Sequence, residues 1–298
     1  MIYTVTLNPA IDYVAQLPSA LQVGQINRTC QEDIQFGGKG INVSVVLHRL
    51  GISTTALGFI AGFTGKALEE GLQKMGLTTH FLEVESGMTR INVKLRGADE
   101  TQINGMGPDL AQRDIQALCA LLEQLEDGDV LVLSGSVPKG LPENIYETLL
   151  ARVAGKAVQT VVDATGQLLV KALAYRPFLI KPNDQELGEI FGAYPETEQQ
   201  LTDYARQLQN MGARNVLVSL AGNGALLLDE NGEVHRADCP KGQVVNSVGA
   251  GDSMVAGFLA GYRQTGDYAQ ALRLGIAAGS ATAFSLGLAT AEQIRALL

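Results

Sequence analysis

Short apolar runs alternate with segments of helical hydrophobic spacing over the C-terminal two thirds of this 298-residue chain. The apolar runs predict strands, and the segments between them place apolar residues three or four positions apart, as on one face of a helix. The predicted strands of this region are Val130 to Leu133, Thr160 to Val162, Phe178 to Ile180 and Val216 to Leu220. Repeated β–α units predict a mostly parallel sheet with helices on both faces, to which Ile2 to Leu7 adds a buried strand. The expected fold class is α/β.

A different pattern occupies Thr89 to Arg96, where apolar and polar residues alternate. This alternation predicts an antiparallel strand with one apolar and one solvated face, and we expect Lys94 and Arg96 to lie in solvent. Together with the polar, irregular residues before Phe36, the strand predicts a small sheet that covers the main one as a lid. We expect lid segments at about residues 12–36 and 86–105, within a single domain spanning residues 1–298, because no linker or repeat divides the chain.

The chain carries 31 acidic and 22 basic residues, a formal net charge of −9. Nucleic acids and anionic membranes are bound through clustered cations, so this balance argues against both as partners. No apolar run reaches the roughly 18 residues of a membrane helix, and Met1 to Pro9 has neither the basic nor the apolar part of a signal peptide. We therefore expect a cytoplasmic location. The three cysteines are widely separated and in no metal-ligand spacing, as is typical of reduced structural thiols.

A glycine-rich loop at Ser247 to Gly251 leads directly into a segment of helical spacing that begins with Asp252. Free N–H groups at a helix N-terminus attract phosphate oxygens, and a carboxylate placed there can accept a proton from a substrate hydroxyl. Taken alone, the segment is also explained by a tight turn in which Asp252 only stabilises the positive end of the helix dipole. The remaining segments have to decide between these interpretations.

A second glycine-rich loop, Phe36 to Asn42, opens a helix in the N-terminal region. It is not a Walker A loop, because Lys39 is followed by Gly40 where that loop has Ser or Thr, and the chain has no Gly-x-Gly-x-x-Gly fingerprint. Three glycines are more than a turn requires. A lysine between glycines, with Asn42 in the first helical turn, therefore predicts a site for a phosphate and sugar hydroxyls.

Polar residues also follow several of the predicted strands. Asp12 comes shortly after the first one, where it either binds sugar hydroxyls or forms a turn. Ser134 to Gly140 and Lys181 to Glu186 follow two later strands. Asn183 and Glu186 match the capping pair of a helix, which does not exclude contact with a ligand. Because ligands of open α/β sheets bind outside the carboxyl ends of the strands, these clusters predict a site along that edge.

The two loops together, Gly37-Gly38-Lys39-Gly40-x-Asn42 and Gly249-Ala250-Gly251-Asp252, resemble the two signature segments of the ribokinase-like, or PfkB-type, sugar kinases. The resemblance extends from Thr6 to the C-terminal helices, and two ordered motifs about two hundred residues apart are far more specific than either alone. It implies a three-layer α/β/α fold with a mostly parallel central sheet and a small β-sheet lid that forms a homodimer contact.

The resemblance also implies roles for individual residues. Asp252 would be the catalytic base, and the N–H groups of Gly249, Ala250 and Gly251 would bind the transferred phosphoryl group. Phosphoryl transfer has a loose transition state, so we expect an ordinary Asp, ionised at neutral pH, to suffice as the base. The residues on the sugar-phosphate side would be Asp12, Gly37, Gly38, Lys39, Asn42 and Arg90, with Arg28, Ser136 and Lys139. The residues on the nucleotide side would be Lys181, Asn183, Glu186, Ser219, Gly222, Gly224, Ser247, Val248 and Gly279. Glu186 would bind Mg²⁺ indirectly, through water.

Within the family, Thr89 to Lys94 and Ser134 to Gly140 are most similar to the bacterial kinases that phosphorylate fructose 1-phosphate. The resemblance therefore implies that ATP, with Mg²⁺, converts fructose 1-phosphate into fructose 1,6-bisphosphate. A furanose with exocyclic carbons on both sides of its ring looks alike from either end, so fructose 6-phosphate and tagatose 6-phosphate stay open as acceptors. A non-catalytic sugar-phosphate sensor is a further alternative, although a sensor has no need for a base such as Asp252.

Overall fold

The computed structural model describes residues 1–135, 137–138 and 140–298. The strands are β1 Ile2–Thr6, β2 Ala10–Gln16, β3 Gln31–Gly37, β4 Thr54–Ala61, β5 Thr78–Val84, β6 Arg90–Arg96, β7 Glu100–Asn104, β8 Val130–Ser134, β9 Gln159–Asp163, β10 Leu179–Ile180, β11 Asn215–Ser219, β12 Ala225–Leu228 and β13 Val234–Ala237. The helices are α1 Lys39–Arg49, α2 Gly62–Lys74, α3 Gln112–Leu122, α4 Ile145–Leu150, α5 Gly166–Ala172, α6 Asp184–Phe191, α7 Glu198–Asn210, α8 Ala250–Thr265, α9 Tyr268–Ala283 and α10 Ala291–Arg295.

The larger sheet has, among the described residues, nine strands in the order β13-β12-β11-β10-β9-β8-β1-β4-β5. All pairs from β5 to β11 are parallel, and β12 and β13 add an antiparallel hairpin at one edge. Every residue of β8 and β12 is buried, as expected for strands covered on both faces. The predicted mostly parallel sheet is confirmed.

Helices cover both faces of this sheet. The apolar side chains of α3 to α7 pack in one core, and those of α1, α8 and α9 pack in another on the opposite face. Close packing explains the small residues of α9: a Cβ atom at Gly257 of α8 would lie 2.5 Å from the carbonyl oxygen of Leu274. Within the described ranges, no helix is long and apolar enough to cross a lipid bilayer.

The smaller sheet has the order β3-β2-β6-β7, in which β2 and β6 are parallel and the other pairs antiparallel. Ile11 of β2 belongs to one buried cluster with Leu68 and Leu72 of α2, so the sheet packs on this helix. The residues from Val14 to Phe36, whose irregular and polar pattern suggested extended segments outside the main sheet, form such segments at both ends, where β2 and β3 pair in a regular ladder. Asp12 consequently lies within β2, and not at the end of the first strand.

Strand β1 lies inside the sheet, with β4 and β5 on one side of it and β8 to β11 on the other. After β1 the chain first adds strands on the β4 side, and then returns to the other side of β1 to form β8 and the strands that follow. Such a reversal of strand order opens a crevice at the carboxyl ends of the strands, where ligands of open α/β sheets bind. The small sheet stands over this crevice, so the fold itself defines where a site should be sought.

Candidate active site

A cavity of about 1480 Å³ lies outside the carboxyl ends of the parallel strands. Polar residues at or just after the ends of five neighbouring strands line it, namely Thr6, Ser134, Asp163, Lys181 and Ser219. The lid sheet contributes one wall, and the N-terminal turns of α1 and α8 contribute others. Residues from both glycine-rich loops therefore meet in one place, although about two hundred positions separate them in the sequence.

The polar face of the lid forms the wall opposite the main sheet. Asp12 of β2 accepts hydrogen bonds from Asn92 Nδ2 and Lys94 Nζ of β6, both at 2.7 Å. Only 6% of the Lys94 side chain is exposed, so the prediction that Lys94 lies in solvent is wrong. Arg96 is partly buried beside Glu100, at 3.4 Å. The alternating pattern separated the two faces of β6 correctly, but Arg90, Asn92 and Lys94 of its polar face line the cavity.

The N-terminal glycine-rich loop positions Lys39 and Asn42 at the start of α1. A Cβ atom at Gly38 would lie 2.5 Å from Thr6 Cγ2, and one at Gly40 would lie 2.7 Å from Thr6 Oγ1. Gly38 also has a φ of 127°, which side chains with a Cβ rarely adopt. Two of the three glycines thus let α1 begin directly against the end of β1. Close packing against Thr6 therefore explains why glycine occupies positions 38 and 40. Because α1 begins at this point, Lys39 lines the cavity.

Asp252 lies in the first turn of α8, after the left-handed N-cap residue Gly249. Its Oδ2 accepts a hydrogen bond from Asn42 Nδ2 at 2.7 Å, and the residue is 5% exposed. Burial raises the pKa of Asp252 to about 6, and the negative charge of Asp163 adds to the rise. The expectation of an ordinary Asp is therefore wrong. The carboxylate is ionised at neutral pH, but its pKa is close enough to neutrality to suit a general base.

The backbone at the start of α8 faces the same cavity. The N–H of Ala250 donates to the Ser247 carbonyl at 3.2 Å, whereas the N–H of Gly251 has no hydrogen-bond partner within the described part of the chain. A Cβ atom at Gly251 would lie 3.2 Å from Lys181 Nζ, so an ammonium group lies beside this residue. A helix N-terminus beside a positive charge attracts phosphate oxygens.

Asp163, at the end of β9, is the main residue of the cavity that the sequence analysis missed. Its Oδ2 lies 3.4 Å from Lys39 Nζ and its Oδ1 lies 3.3 Å from Lys181 Nζ. Burial opposes its ionisation, yet the two ammonium groups hold the pKa of Asp163 below its usual value. The signal that could have found it is its position directly after a predicted strand, the same position that singled out Ser134 and Lys181.

The nucleotide side of the cavity is built around the start of α6. Asn183 Oδ1 accepts the N–H of Glu186 at 2.7 Å, and Glu186 Oε2 accepts the N–H of Asn183 at 2.9 Å, which confirms the predicted capping pair. The other predicted nucleotide-side residues that line the cavity are Ser219, Gly222, Gly224, Ser247, Val248 and Gly279. Arg90, on the lid side, lines it as well and donates from Nε to the Asn8 carbonyl at 3.2 Å.

Four predicted residues do not contribute to the described cavity lining. Arg28 is exposed in the segment that joins β2 to β3, at the end of this hairpin opposite Gly37, so the structure does not bring it to the cavity. Gly37 itself is buried behind Asp12, to which a Cβ atom would come within 3.5 Å. Ser136 and Lys139 lie outside the described residues.

The sequence model of the pfkB family carbohydrate kinases matches residues 5–295. The chain belongs to this family. It is 46% identical to the 1-phosphofructokinase of Bacillus subtilis (strain 168) over 298 residues, which cover 100% of this chain and 97% of that protein. It is 38% identical to the D-tagatose-1-phosphate kinase of Bacillus licheniformis over 295 residues, with 99% and 96% covered.

Solved structures of the family have the same fold. The crystal structure of the phosphofructokinase-2 from Escherichia coli in complex with fructose-6-phosphate superimposes with a TM-score of 0.91 at 28% identity, covering 99% of this chain and 97% of that one. The family resemblance inferred from the two glycine-rich loops is thereby confirmed, as is the prediction of a kinase. Use of ATP follows from membership of this kinase family.

Proposed function

We propose that this chain transfers the γ-phosphoryl group of ATP to the free primary hydroxyl of fructose 1-phosphate, giving fructose 1,6-bisphosphate and ADP. The observation that carries the proposal is the buried Asp252 carboxylate, held by Asn42 beside the N-terminus of α8 and facing a cavity large enough for both substrates. The identity of the acceptor rests on the relative of 46% identity, whose name is 1-phosphofructokinase.

Asp252 is the base in this proposal. As the bond between the sugar oxygen and the γ-phosphorus forms, the hydroxyl proton passes to the Asp252 carboxylate, and the bond from the γ-phosphorus to the departing ADP oxygen breaks. Phosphoryl transfer of this kind has a loose transition state, so orientation of the hydroxyl matters more than a strong base. A pKa of about 6 keeps the carboxylate ionised at neutral pH and able to accept the proton late in the reaction.

The start of α8 and two lysines stabilise the transferred charge. Gly251, Lys181 and Lys39 line the same cavity, and Lys181 Nζ lies beside Gly251. Groups that are already in place when charge develops on the phosphoryl oxygens lower the barrier without reorganisation. The proposal places the γ-phosphoryl group between these donors, within reach of a hydroxyl oriented by Asp252.

The lid wall supplies the sugar-phosphate contacts. Asp12 still has lone pairs for sugar hydroxyls beyond those used by Asn92 and Lys94, and Asn42 borders the same space. Arg90 is half-buried and offers several N–H donors for a phosphate, in the fork geometry that suits it. These residues would bind the phosphate and the ring while leaving the free primary hydroxyl toward Asp252.

The nucleotide side fits Mg²⁺ held through water. Mg²⁺ prefers oxygen ligands and keeps several of its waters. Glu186 uses Oε2 in the helix cap, and Oε1 has no hydrogen-bond partner in the described ranges, so one carboxylate oxygen remains for a metal-bound water. When bound, the ion neutralises charge on the ATP phosphates. Glu186 and Asn183 are the residues that would hold it.

A ranking of acceptors tests the proposed substrate. An assay that couples ADP release to a visible readout would be run with fructose 1-phosphate, tagatose 1-phosphate, fructose 6-phosphate, tagatose 6-phosphate and unphosphorylated fructose. We expect the highest kcat/KM with fructose 1-phosphate. Tagatose 1-phosphate is the second candidate, because a relative of 38% identity is named D-tagatose-1-phosphate kinase. A higher kcat/KM with either 6-phosphate would refute the acceptor assignment, and saturable sugar-phosphate binding without ADP release would favour a sensor.

The proposal includes a homodimer formed through the lid, in the cytoplasm. On the face of the lid opposite Asp12, the residues Ile34, Tyr13, Val93 and Ile103 are cross-strand neighbours in one row. Ile34 is 58% exposed and Ile103 is 60% exposed, which is unusual for isoleucine unless another surface covers it. Light scattering should give twice the mass of one chain, and Ile103→Asp should give a monomer. A monomeric wild-type protein would refute this contact.

A further inference from the structure

Three charged side chains that line the cavity form a bridge. Asp163 from the end of β9 contacts Lys39 of α1 through Oδ2 and Lys181, which follows β10, through Oδ1. The Asp163 and Lys181 side chains are 2% and 7% exposed, whereas 41% of the Lys39 side chain is exposed. One carboxylate thus uses its two oxygens to hold two cations that come from different elements of the fold.

This bridge does not connect parts of the hydrophobic core. Both ammonium groups line the cavity, and Lys181 Nζ lies beside Gly251 at the start of α8. Lysine side chains have four rotatable bonds and adopt many rotamers when nothing holds them. A buried carboxylate that contacts both groups restricts them to the positions where transferred charge has to be neutralised.

We propose that Asp163 is a positioning residue for phosphoryl transfer: by holding Lys39 and Lys181 together, it couples the sugar-phosphate side of the cavity to the nucleotide side and sets the electrostatic environment of Asp252. The inference deepens the proposed function and rests on it. Asp163 itself need not touch either substrate, because it acts through the two lysines.

The charge of Asp163 has a second effect, on the base. Asp163 and Asp252 are both buried carboxylates beside the same two lysines, and like charges disfavour each other's ionised forms. The pKa of Asp252 is raised first by burial and second by Asp163. Removing the charge at Asp163 should therefore make Asp252 a weaker base, a change that loss of packing alone would not produce.

The test uses Asp163→Asn in the full-length protein. We expect kcat to fall about 10²-fold, the size of effect that a misplacement of about 1 Å can cause. The KM values of ATP and of fructose 1-phosphate should both rise, because each lysine loses its partner. In the substrate-free protein, the ¹³C carboxyl signal of Asp252, identified with Asp252→Asn, should titrate about one pH unit lower than in the wild type.

Two further variants separate positioning from general damage. Asp229→Asn removes another buried carboxylate, which pairs with His235 at 2.8 Å on the hairpin of β12 and β13, and it should change neither the titration of Asp252 nor the KM values. Asp163→Glu keeps the charge but moves it by one methylene, so the Asp252 titration should stay near the wild-type value while both KM values rise. If Asp163→Asn does not fold, the KM values of Asp163→Glu still test whether Asp163 positions the two lysines.

An unchanged Asp252 titration in Asp163→Asn would overturn the inference, as would a KM change confined to one substrate or unaltered KM values in Asp163→Glu. The carboxyl titration requires no turnover. If the wild-type protein failed to phosphorylate fructose 1-phosphate, the proposed function would fail, but the titration would still show whether Asp163 sets the environment of Asp252.

Discussion

Asp252→Asn should stabilise the folded protein at neutral pH while it abolishes most of the activity. The wild-type carboxylate is buried and 5% exposed, and its pKa is raised from the ordinary 3.8 to about 6. A group with a raised folded-state pKa binds its proton more tightly in the folded than in the unfolded chain. Its contribution to stability is present below pH 3.8 and is lost as the pH rises through 6. Above that pH, burying the ionised form costs free energy that an amide does not cost.

Each unit by which the folded-state pKa exceeds the unfolded one corresponds to about 1.36 kcal/mol, so burial of the ionised carboxylate lowers the free energy of unfolding by about 3 kcal/mol above pH 7. The amide still has an oxygen that can accept the hydrogen bond from Asn42, but the lysines lose an attractive charge. We therefore expect Asp252→Asn to raise the free energy of unfolding by about 1–3 kcal/mol at pH 7.5, and by much less at pH 4.5. The turnover number should fall by roughly 10²–10⁴, the usual range for the loss of a general base.

Urea unfolding followed by circular dichroism at pH 4.5, 6 and 7.5 measures this effect. In the difference between the free energies of unfolding of variant and wild type, the contributions of the titratable groups that both proteins share cancel. Asp229→Asn is the matched control. The pKa of Asp229 is lowered through its contact with His235 and two backbone N–H groups despite the opposing effect of burial, so its amide should destabilise the protein at pH 7.5. A variant Asp252→Asn that is no more stable than the wild type at pH 7.5, or a difference that is the same at all three pH values, would refute a free-energy cost of burying the ionised carboxylate.

Three other predictions concern turnover. In the wild type, kcat/KM for the sugar phosphate should fall about tenfold per pH unit below about pH 6 as Asp252 is protonated, and a profile flat to pH 5 would exclude this base. Arg90→Ala should raise the KM of the sugar phosphate by roughly 10- to 100-fold and that of ATP much less, since a charge-assisted contact of about 1.5–3 kcal/mol is lost; equal effects on both would count against the assignment. Lys94→Met should lower kcat/KM for the sugar phosphate without changing the KM of ATP, because Asp12 loses the cation that orients it. Steady-state kinetics with each substrate varied measure both constants, and an unchanged kcat/KM for the sugar phosphate would contradict this role of Lys94.

The main sheet was predictable because its signal is local. A buried parallel strand is a short apolar run, and each such run between Val130 and Leu220 corresponds to an observed strand. The cavity edge was predictable for the same reason, since a polar residue directly after such a run lies at the carboxyl end of the sheet. The capping pair of Asn183 and Glu186 was predictable as well, because it is encoded within four consecutive positions.

The direction of the lid face and the pairing of the charges were not predictable in this way. A period of two residues shows that β6 has two faces, but only the packing of the lid over the crevice decides that Lys94 points inward. Asp163 contacts Lys39 across 124 positions of sequence, and no local pattern joins them. The raised pKa of Asp252 likewise depends on burial by the whole fold and on a second carboxylate, so Gly249 to Asp252 alone suggested an ordinary Asp.

The most direct test of the account is a ³¹P NMR spectrum of the reaction of ATP, Mg²⁺ and fructose 1-phosphate with the wild type and with Asp252→Asn. We expect the wild type to produce ADP and an equal amount of a second phosphomonoester, coupled to the two protons of the primary carbon, and Asp252→Asn to produce almost none. ADP with inorganic phosphate in place of the new phosphomonoester, or near-normal product formation by Asp252→Asn, would contradict the account.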